Sequence, residues 1–405
     1  MYFHKNSMST NIDQPVFFQR PSSRFHSTHF RNQCVQQTRQ SCLSNHPLIC
    51  GILLGIFLGC TFLTIVLSLW LTNEPSSTTT SIINPVTSSI FALRIPTCAT
   101  WQQTGITVAG NAGGSIGIDL ASLSFPTTIF IDNNDTLWIT DQSNSRVVKY
   151  YSNSNVGILV AGNGTPGKTS QQLSGLKGIA VDSFGVVLVA DSDNYRIQTF
   201  TPGSIEGSTR LSNMSSNLMG QMRDLHIDVN NNIYFTDSDY NRVVKYTPYS
   251  TIGIVLAGGD LGSDNNQLNV PYGSFIDENN VLYVADRSNH RIMKFLPGTN
   301  VGTIVAGVNC TPGTDLNQLK YPAAVIVDNN GYIYIADSGN HRIMRWTSNY
   351  SAGGTCIVGC SRIAGLAADE MNTPRDLKFD KYGNLYVADQ GNNRIQKFLI
   401  NTTCI

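Results

Sequence analysis

Two hydrophobic patterns divide the chain. From Leu48 to Leu71 the residues run on without a charge, Leu-Ile-Cys-Gly-Ile-Leu-Leu-Gly and onward to Trp70. Past residue 98 the apolar positions instead come in short alternating runs, such as Ile129-Phe-Ile, Leu137-Trp-Ile, Val325-Ile-Val and Ile333-Tyr-Ile. Turns rich in Asn, Gly and Ser separate them. A period of two bounded by turn residues predicts short β-strands.

The alternating part repeats. Asp141, Asp191, Asp237, Asp286, Asp337 and Asp389 each end an apolar run and open a segment of the form Asp, turn residues, Arg, Ile or Val, ending in an aromatic. They lie 50, 46, 49, 51 and 52 positions apart, a spacing that signals a solenoid or a propeller. Four strand types recur. The first ends in Asp, as in Ile179-Ala-Val-Asp182 and Leu377-Lys-Phe-Asp380. The second is the run before the motif Asp, and the third begins at its Arg. The fourth reads Gly302-Thr-Ile-Val-Ala-Gly307, Gly253-Ile-Val-Leu-Ala-Gly258 or Ser361-Arg-Ile-Ala-Gly365, with a weak counterpart at Ser208 to Ser212 in the second unit.

The last unit lacks its fourth strand, while an orphan of that type, Gly105-Ile-Thr-Val-Ala-Gly110, precedes the first unit. The economical architecture is an all-β ring, a six-bladed β-propeller closed by its N-terminal strand, because closure leaves no unpaired sheet edge.

As a helix, the run from Leu48 to Leu71 is about 36 Å long, enough to cross a hydrocarbon core. Residues 1–46 carry Lys5, Arg20, Arg24, Arg31 and Arg39 against Asp13 alone. Positive charge before the span predicts a cytosolic N-terminus and an exterior C-terminal bulk. The expected organisation is a disordered cytosolic tail (1–46), a transmembrane signal anchor (47–72), a Ser/Thr/Pro-rich stalk (73–97) and a propeller (98–405). Residues 95–405 hold 21 basic and 25 acidic residues. That balance argues against a nucleic-acid partner, which needs a concentrated basic surface.

The repeat resembles the NHL-repeat family of six-bladed β-propellers. The resemblance is carried by Tyr-Val/Ile-Ala-Asp, Asn-His-Arg-Ile and Gly-x-x-x-Ala-Gly over about residues 105–400. It implies the fold more strongly than a function, since such propellers serve as binding and as catalytic domains.

Ring closure brings Cys98 near Cys404, which predicts a disulfide between them; Cys356 and Cys360 are expected to pair across one hairpin connection, leaving Cys310 odd. Asn-x-Ser/Thr sites at Asn134, Asn163, Asn213, Asn309, Asn349 and Asn401 are candidate glycosylation positions outside the cell.

The motif Asp recurs once per unit, so it reads as scaffold: each is expected to cap the amides of its turn and to pair with the Arg five residues on. A site is made once per molecule, so it belongs where the copies disagree. At the start of the inner strands the unequal residues are Lys177, Arg223, Asp224, Tyr272, Arg375 and Asp376, predicted to form a charged rim at the channel mouth. Within the propeller only His226 sits on an inner strand, while His290 and His341 occupy the motif's turn. No nucleophile elbow, zinc motif or phosphate loop occurs. The expectation is a non-catalytic module binding an extracellular protein or glycan, with no cofactor and no metal. The alternative is a metal-dependent ectoenzyme, lyase- or hydrolase-like, with its site in the channel.

Overall fold

The computed structural model describes residues 94–213 and 218–403. The tail, the span expected to cross a membrane, most of the stalk and Cys404 lie outside the described residues. Among the described residues no helix is long and apolar enough to cross a membrane.

Six four-stranded antiparallel sheets follow one another along the chain. The first blade consists of Pro126–Ile131, Leu137–Asp141, Arg146–Tyr150 and Ile158–Ala161, from inner to outer strand. The inner strands of the next blades are Leu176–Val181, Met222–Ile227, Ser274–Ile276, Ala324–Val327 and Pro374–Phe379. In the sixth blade Ile106–Gly110 supplies the outer strand beside Arg394–Phe398, with Ile106 opposite Lys397 and Gly110 opposite Arg394. Side chains of the last blade meet the first, where the Ile129 N–H donates to Asp376 at 2.9 Å. The expected ring and its closure are both present. A further two-stranded pairing, Thr100–Trp101 with Ile400–Asn401, lies beyond the blades and adds a second tie between the ends of the ring.

Each third strand ends on a buried aromatic: Tyr150, Phe200, Tyr246, Phe295, Trp346 and Phe398 are all 2% exposed or less. The glycine that begins each outer strand lies under that ring. A Cβ on Gly302 would stand 2.8 Å from the Phe295 ring, and one on Gly354 2.6 Å from Trp346. This contact explains the first glycine of the recurring outer-strand pattern. The last glycine answers to backbone shape: Gly307 has φ +82° and lies against the His290 carbonyl, where a Cβ would be 2.3 Å from the oxygen.

That geometry corrects the reading of the fifth blade. Its outer strand is Gly354–Val358, paired with Arg342–Trp346, and not Ser361–Gly365. Gly359, at φ +71° against the His341 carbonyl, fills the place of Gly307. Val358 stands where four of the other blades have Ala, so the sequence pattern is broken although the shape is kept. Gly365 has a different task, accepting a hydrogen bond from Asn392 at 2.7 Å, as Gly313 does from Asn340. The second blade also departs from expectation. Ser208–Ser212 is a full outer strand along Arg196–Phe200, with Leu211 buried at the level where other blades bury Ala.

Cys356 and Cys360 form a disulfide. They do not straddle a hairpin as expected; Cys356 lies within the outer strand and the bridge ties that strand to its exit turn. Cys98 is disulfide-bonded, while Cys310 is an exposed thiol.

Candidate binding site at the channel mouth

The six motif acids are placed by the second strands and are fully buried. The Arg pairing expected of them is present: Nε to carboxylate distances are 2.8 Å for Asp141–Arg146, Asp286–Arg291, Asp337–Arg342 and Asp389–Arg394. The expected capping of their own turns is not found at the five short 3-10 turns. The second carboxylate oxygen instead accepts a backbone N–H from the loop before the blade, as Asp337 does from Lys320 at 2.7 Å and Asp389 from Asn372 at 2.7 Å. The Arg completes the clamp. Arg342 donates to the carbonyls of Thr314, Asp315 and Gln318, and Arg394 to those of Leu366, Ala367 and Glu370. A buried ion pair needs every remaining donor satisfied to be tolerated, and here those donors hold the loop that feeds the channel mouth. The clamp is scaffold for that mouth.

His290 and His341 belong to the same scaffold. Each Nδ1 accepts an N–H from the next blade, from Tyr321 at 3.1 Å and from Thr373 at 3.0 Å. Asn393 does the same for Phe125 at 2.9 Å.

On the face served by these loops, the inner strands begin around a small cavity lined by Thr127, Thr128, Arg223, Asp224, Arg375 and Asp376, with Gly273, Ala323 and Ala324 closing the remaining side. Tyr272 stands at its edge, where the fourth blade has the shortest inner strand of the ring, Ser274–Ile276. Three guanidinium groups gather on the Tyr272 ring: Arg375 at 3.8 Å, Arg287 at 4.5 Å and Arg223 at 5.0 Å from its centre. Arg375 belongs to the sixth blade and Tyr272 to the fourth, so that contact crosses the channel. Cations over an aromatic face are attracted by its quadrupole, and three on one ring also repel each other.

Charge and burial shape the titration of these groups. Burial alone would raise the Tyr272 phenol, but Arg375, Arg223, Arg287 and Lys177 outweigh it and hold it below the ordinary value. Burial, with Arg287 and Arg223 nearby, pulls Arg375 down to about 10. Burial and the Arg223 charge lower Lys177 as well.

The expected rim residues thus divide. Arg223, Tyr272 and Arg375 converge. Lys177 is turned toward Gln221 and toward Asp193, 3.6 Å away. Asp224 and Asp376 line the cavity but stitch blades together. Asp224 accepts the Ser274 N–H at 2.8 Å; Asp376 accepts from Ile129 and from the Lys378 ammonium at 2.8 Å. Below them lie Lys378 and His226. The His226 ring stacks on Tyr234 at 5.1 Å, and its Nε2 is buried with no hydrogen-bond partner.

Arg287 was absent from the expected rim. It follows the motif Asp286, where the other units have Gln142, Ser192, Ser238, Ser338 and Gln390. Disagreement among the copies, the signal that marks Arg223 and Arg375 on the inner strands, marks Arg287 in the turns as well. Among the described residues neither Arg287 nor Arg375 donates a hydrogen bond to protein, and Arg287 Nε is buried without a partner. Arg223 donates from Nε to Ser238 at 2.9 Å.

The six sheets, the clamps and the channel define a six-bladed β-propeller. The NHL repeat profile matches residues 319–345 and 371–398. The chain is a six-bladed β-propeller whose last two repeats match the NHL repeat. It is similar to NHL repeat-containing protein 3 of Homo sapiens, at 33% identity over 91 residues, and to that of Mus musculus at 32%. These matches cover 21% of this chain and 25% of each relative, so the similarity spans about a quarter of the curated relatives' length. Solved structures share the fold over most of the chain. An auxiliary nutrient binding protein from Bacteroides ovatus aligns with a TM-score of 0.55 at 16% identity, covering 75% of this chain and 77% of that one. A gluconolactonase from Xanthomonas campestris aligns at 0.53 and 14%, covering 76% and 99%. At such identities the likeness is one of fold.

Proposed function

We propose that this chain is a single-pass membrane protein that presents its NHL-type propeller outside the cell, or in the secretory lumen, as a non-catalytic module binding a protein or glycan at the channel mouth. The observation that carries the reading is the convergence of Arg223, Arg287 and Arg375 on Tyr272. These groups occur once per molecule, break the repeat, and meet on one ring beside the cavity that Arg223 and Arg375 line, whereas the repeated Asp–Arg pairs are consumed by folding. Binding sites in closed sheet architectures collect where loops and strand ends meet.

The uncharged run from Leu48 to Leu71, its basic N-terminal flank and the Ser/Thr/Pro-rich stalk support the membrane part. The candidate glycosylation positions Asn134, Asn163, Asn213, Asn349 and Asn401 are exposed, and Asn309 is half-buried, so five are open to modification. Full-length protein with Lys177, Arg223 and Arg375 reversed to Glu, compared with wild type in a cell-surface binding screen, tests the site; binding that survives the reversal places the ligand elsewhere. Protease protection of the propeller in intact cells tests the topology, and a cleaved propeller in sealed vesicles of cytosol-outside orientation would refute it.

A further inference from the structure

We propose that the channel mouth is a receptor for one carboxylate, presented by an acidic side chain or C-terminus of a protein partner and held by Arg223, Arg287 and Arg375. This rests on the binding-module reading above and names the chemistry its ligand must carry.

Unused hydrogen-bonding capacity is the first ground. A guanidinium offers five N–H donors in one plane. The Arg of each clamp spends them on a carboxylate and on loop carbonyls, as Arg342 does on Asp337, Thr314, Asp315 and Gln318. Arg287 and Arg375 spend none on protein among the described residues, although Arg287 Nε is shielded from solvent. Polar groups buried without partners are costly. A carboxylate, accepting through two oxygens along the fork of an Arg, removes that cost.

The second ground is charge. The acids nearest the arginines are engaged elsewhere: Asp376 by Ile129, Leu377 and Lys378, Asp224 by Ser274 and Leu225. The arginines are balanced chiefly by the face of Tyr272, a weak counter-charge. The third ground is size. The cavity volume is about 10 Å³, the room of roughly one water molecule. A sugar ring does not fit within it, and a carboxylate meets the arginines at its rim.

The fourth ground selects a protein. The loops leading to the inner strands expose Ile116, Ile118, Leu218, Leu261, Ile363 and Leu366, each at least half accessible. Arginines at the centre of a face with apolar residues around them are the composition of a protein–protein interface.

The test uses the full-length chain in detergent and four probes: a short acetylated, amidated peptide with one Glu between two Leu, its Gln counterpart, acetate, and a digalacturonate. Calorimetry reads affinity, and the phenolate absorbance difference between wild type and Tyr272→Phe reads Tyr272. The Glu peptide is expected to bind at least about tenfold more tightly than the Gln peptide, with affinity falling as salt rises. Saturation with it is expected to move the Tyr272 midpoint upward, because a bound anion cancels the field of the arginines. Arg375→Gln and Arg287→Gln are each expected to weaken the Glu peptide about tenfold or more; Arg287 lies in a turn, which keeps the test open if the inner-strand variant fails to fold.

Equal binding of the Glu and Gln peptides, or Glu-peptide binding unchanged in both variants, overturns the proposal. Acetate matching the peptide points to a free small acid, and digalacturonate exceeding it points to an acidic glycan; each overturns the protein partner. A screened partner lost on rim reversal, alongside no Glu-peptide binding, leaves the mouth as the site and removes the carboxylate.

Discussion

Arg375 places its guanidinium carbon 3.8 Å from the centre of the Tyr272 ring, joining the sixth blade to the fourth across the channel. The closed ring makes this contact possible, since the two residues are about a hundred positions apart in the chain.

Tyr272 should therefore report the state of the mouth. Its phenol, held low chiefly by Arg375 against the opposing effect of burial, should ionise below the ordinary tyrosine midpoint of about 10. A spectrophotometric titration is expected to show one such tyrosine, absent in Tyr272→Phe and displaced upward in Arg375→Met. A wild-type curve identical to that of Tyr272→Phe below pH 10 would contradict the geometry.

The clamps should differ in worth according to burial. The Arg342 and Asp337 side chains are both 0% exposed, whereas Arg242 of the third blade is 21% exposed. Removing one partner of a buried pair costs about 3–5 kcal/mol, because the other charge is left uncompensated. Arg342→Met is expected to fall in that range by denaturant unfolding, and Arg242→Met to cost clearly less. Equal losses would mean that burial does not set the energy of the clamp.

Stability should fall on the acid side through histidine. Burial holds His226, His290 and His341 below the ordinary imidazole value, against raising contributions of Asp224 and Asp228 at His226 and of Asp389 at His341. Arg287 and Lys320 act with burial at His290, Lys320 at His341 and Lys378 at His226. The folded chain keeps these rings neutral while the unfolded chain protonates them near about pH 6.5. Their contribution is complete above that pH and is lost as the pH falls below it. His290 and His341 each accept an amide N–H through Nδ1, a bond that a protonated ring cannot form. Unfolding midpoints at pH 7.5 and 5.5 should differ less in a His290→Asn, His341→Asn double variant, since Asn393 performs that role at the sixth blade.

The ring should be locked covalently. Thr100 and Trp101 pair with Asn401 and Ile400, which carries Cys98 to the C-terminal end. Peptide mapping without reductant is expected to recover Cys98 joined to Cys404, and Cys98→Ser to lose about 2–4 kcal/mol. Recovery of Cys404 as a free thiol would exclude the pairing.

The blades were legible in sequence because alternation and turn chemistry are local. The period of the motif Asp and the orphan strand Gly105 to Gly110 were enough to close the ring. Misreadings arose where local sequence and local shape part: Val358-Gly359 lacks the Ala of its counterparts yet adopts their geometry, and Ile363-Ala-Gly365 has the motif but serves as loop. The roles of the motif acids were half legible. Pairing at five residues' distance is written in the sequence, but the amide that Asp337 accepts comes from Lys320, on a loop whose position depends on the adjacent blade.

The number of blades, the strand that closes them and the residues that break the repeat all follow from spacing along the chain. Tertiary structure decided which of those residues meet. Lys177 and Arg223 both begin inner strands, yet one faces Asp193 and the other Tyr272; Arg287 enters from a turn. Electrostatics and packing act through space, so a group of three arginines on one tyrosine exists only once blades three, four and six stand around a common channel.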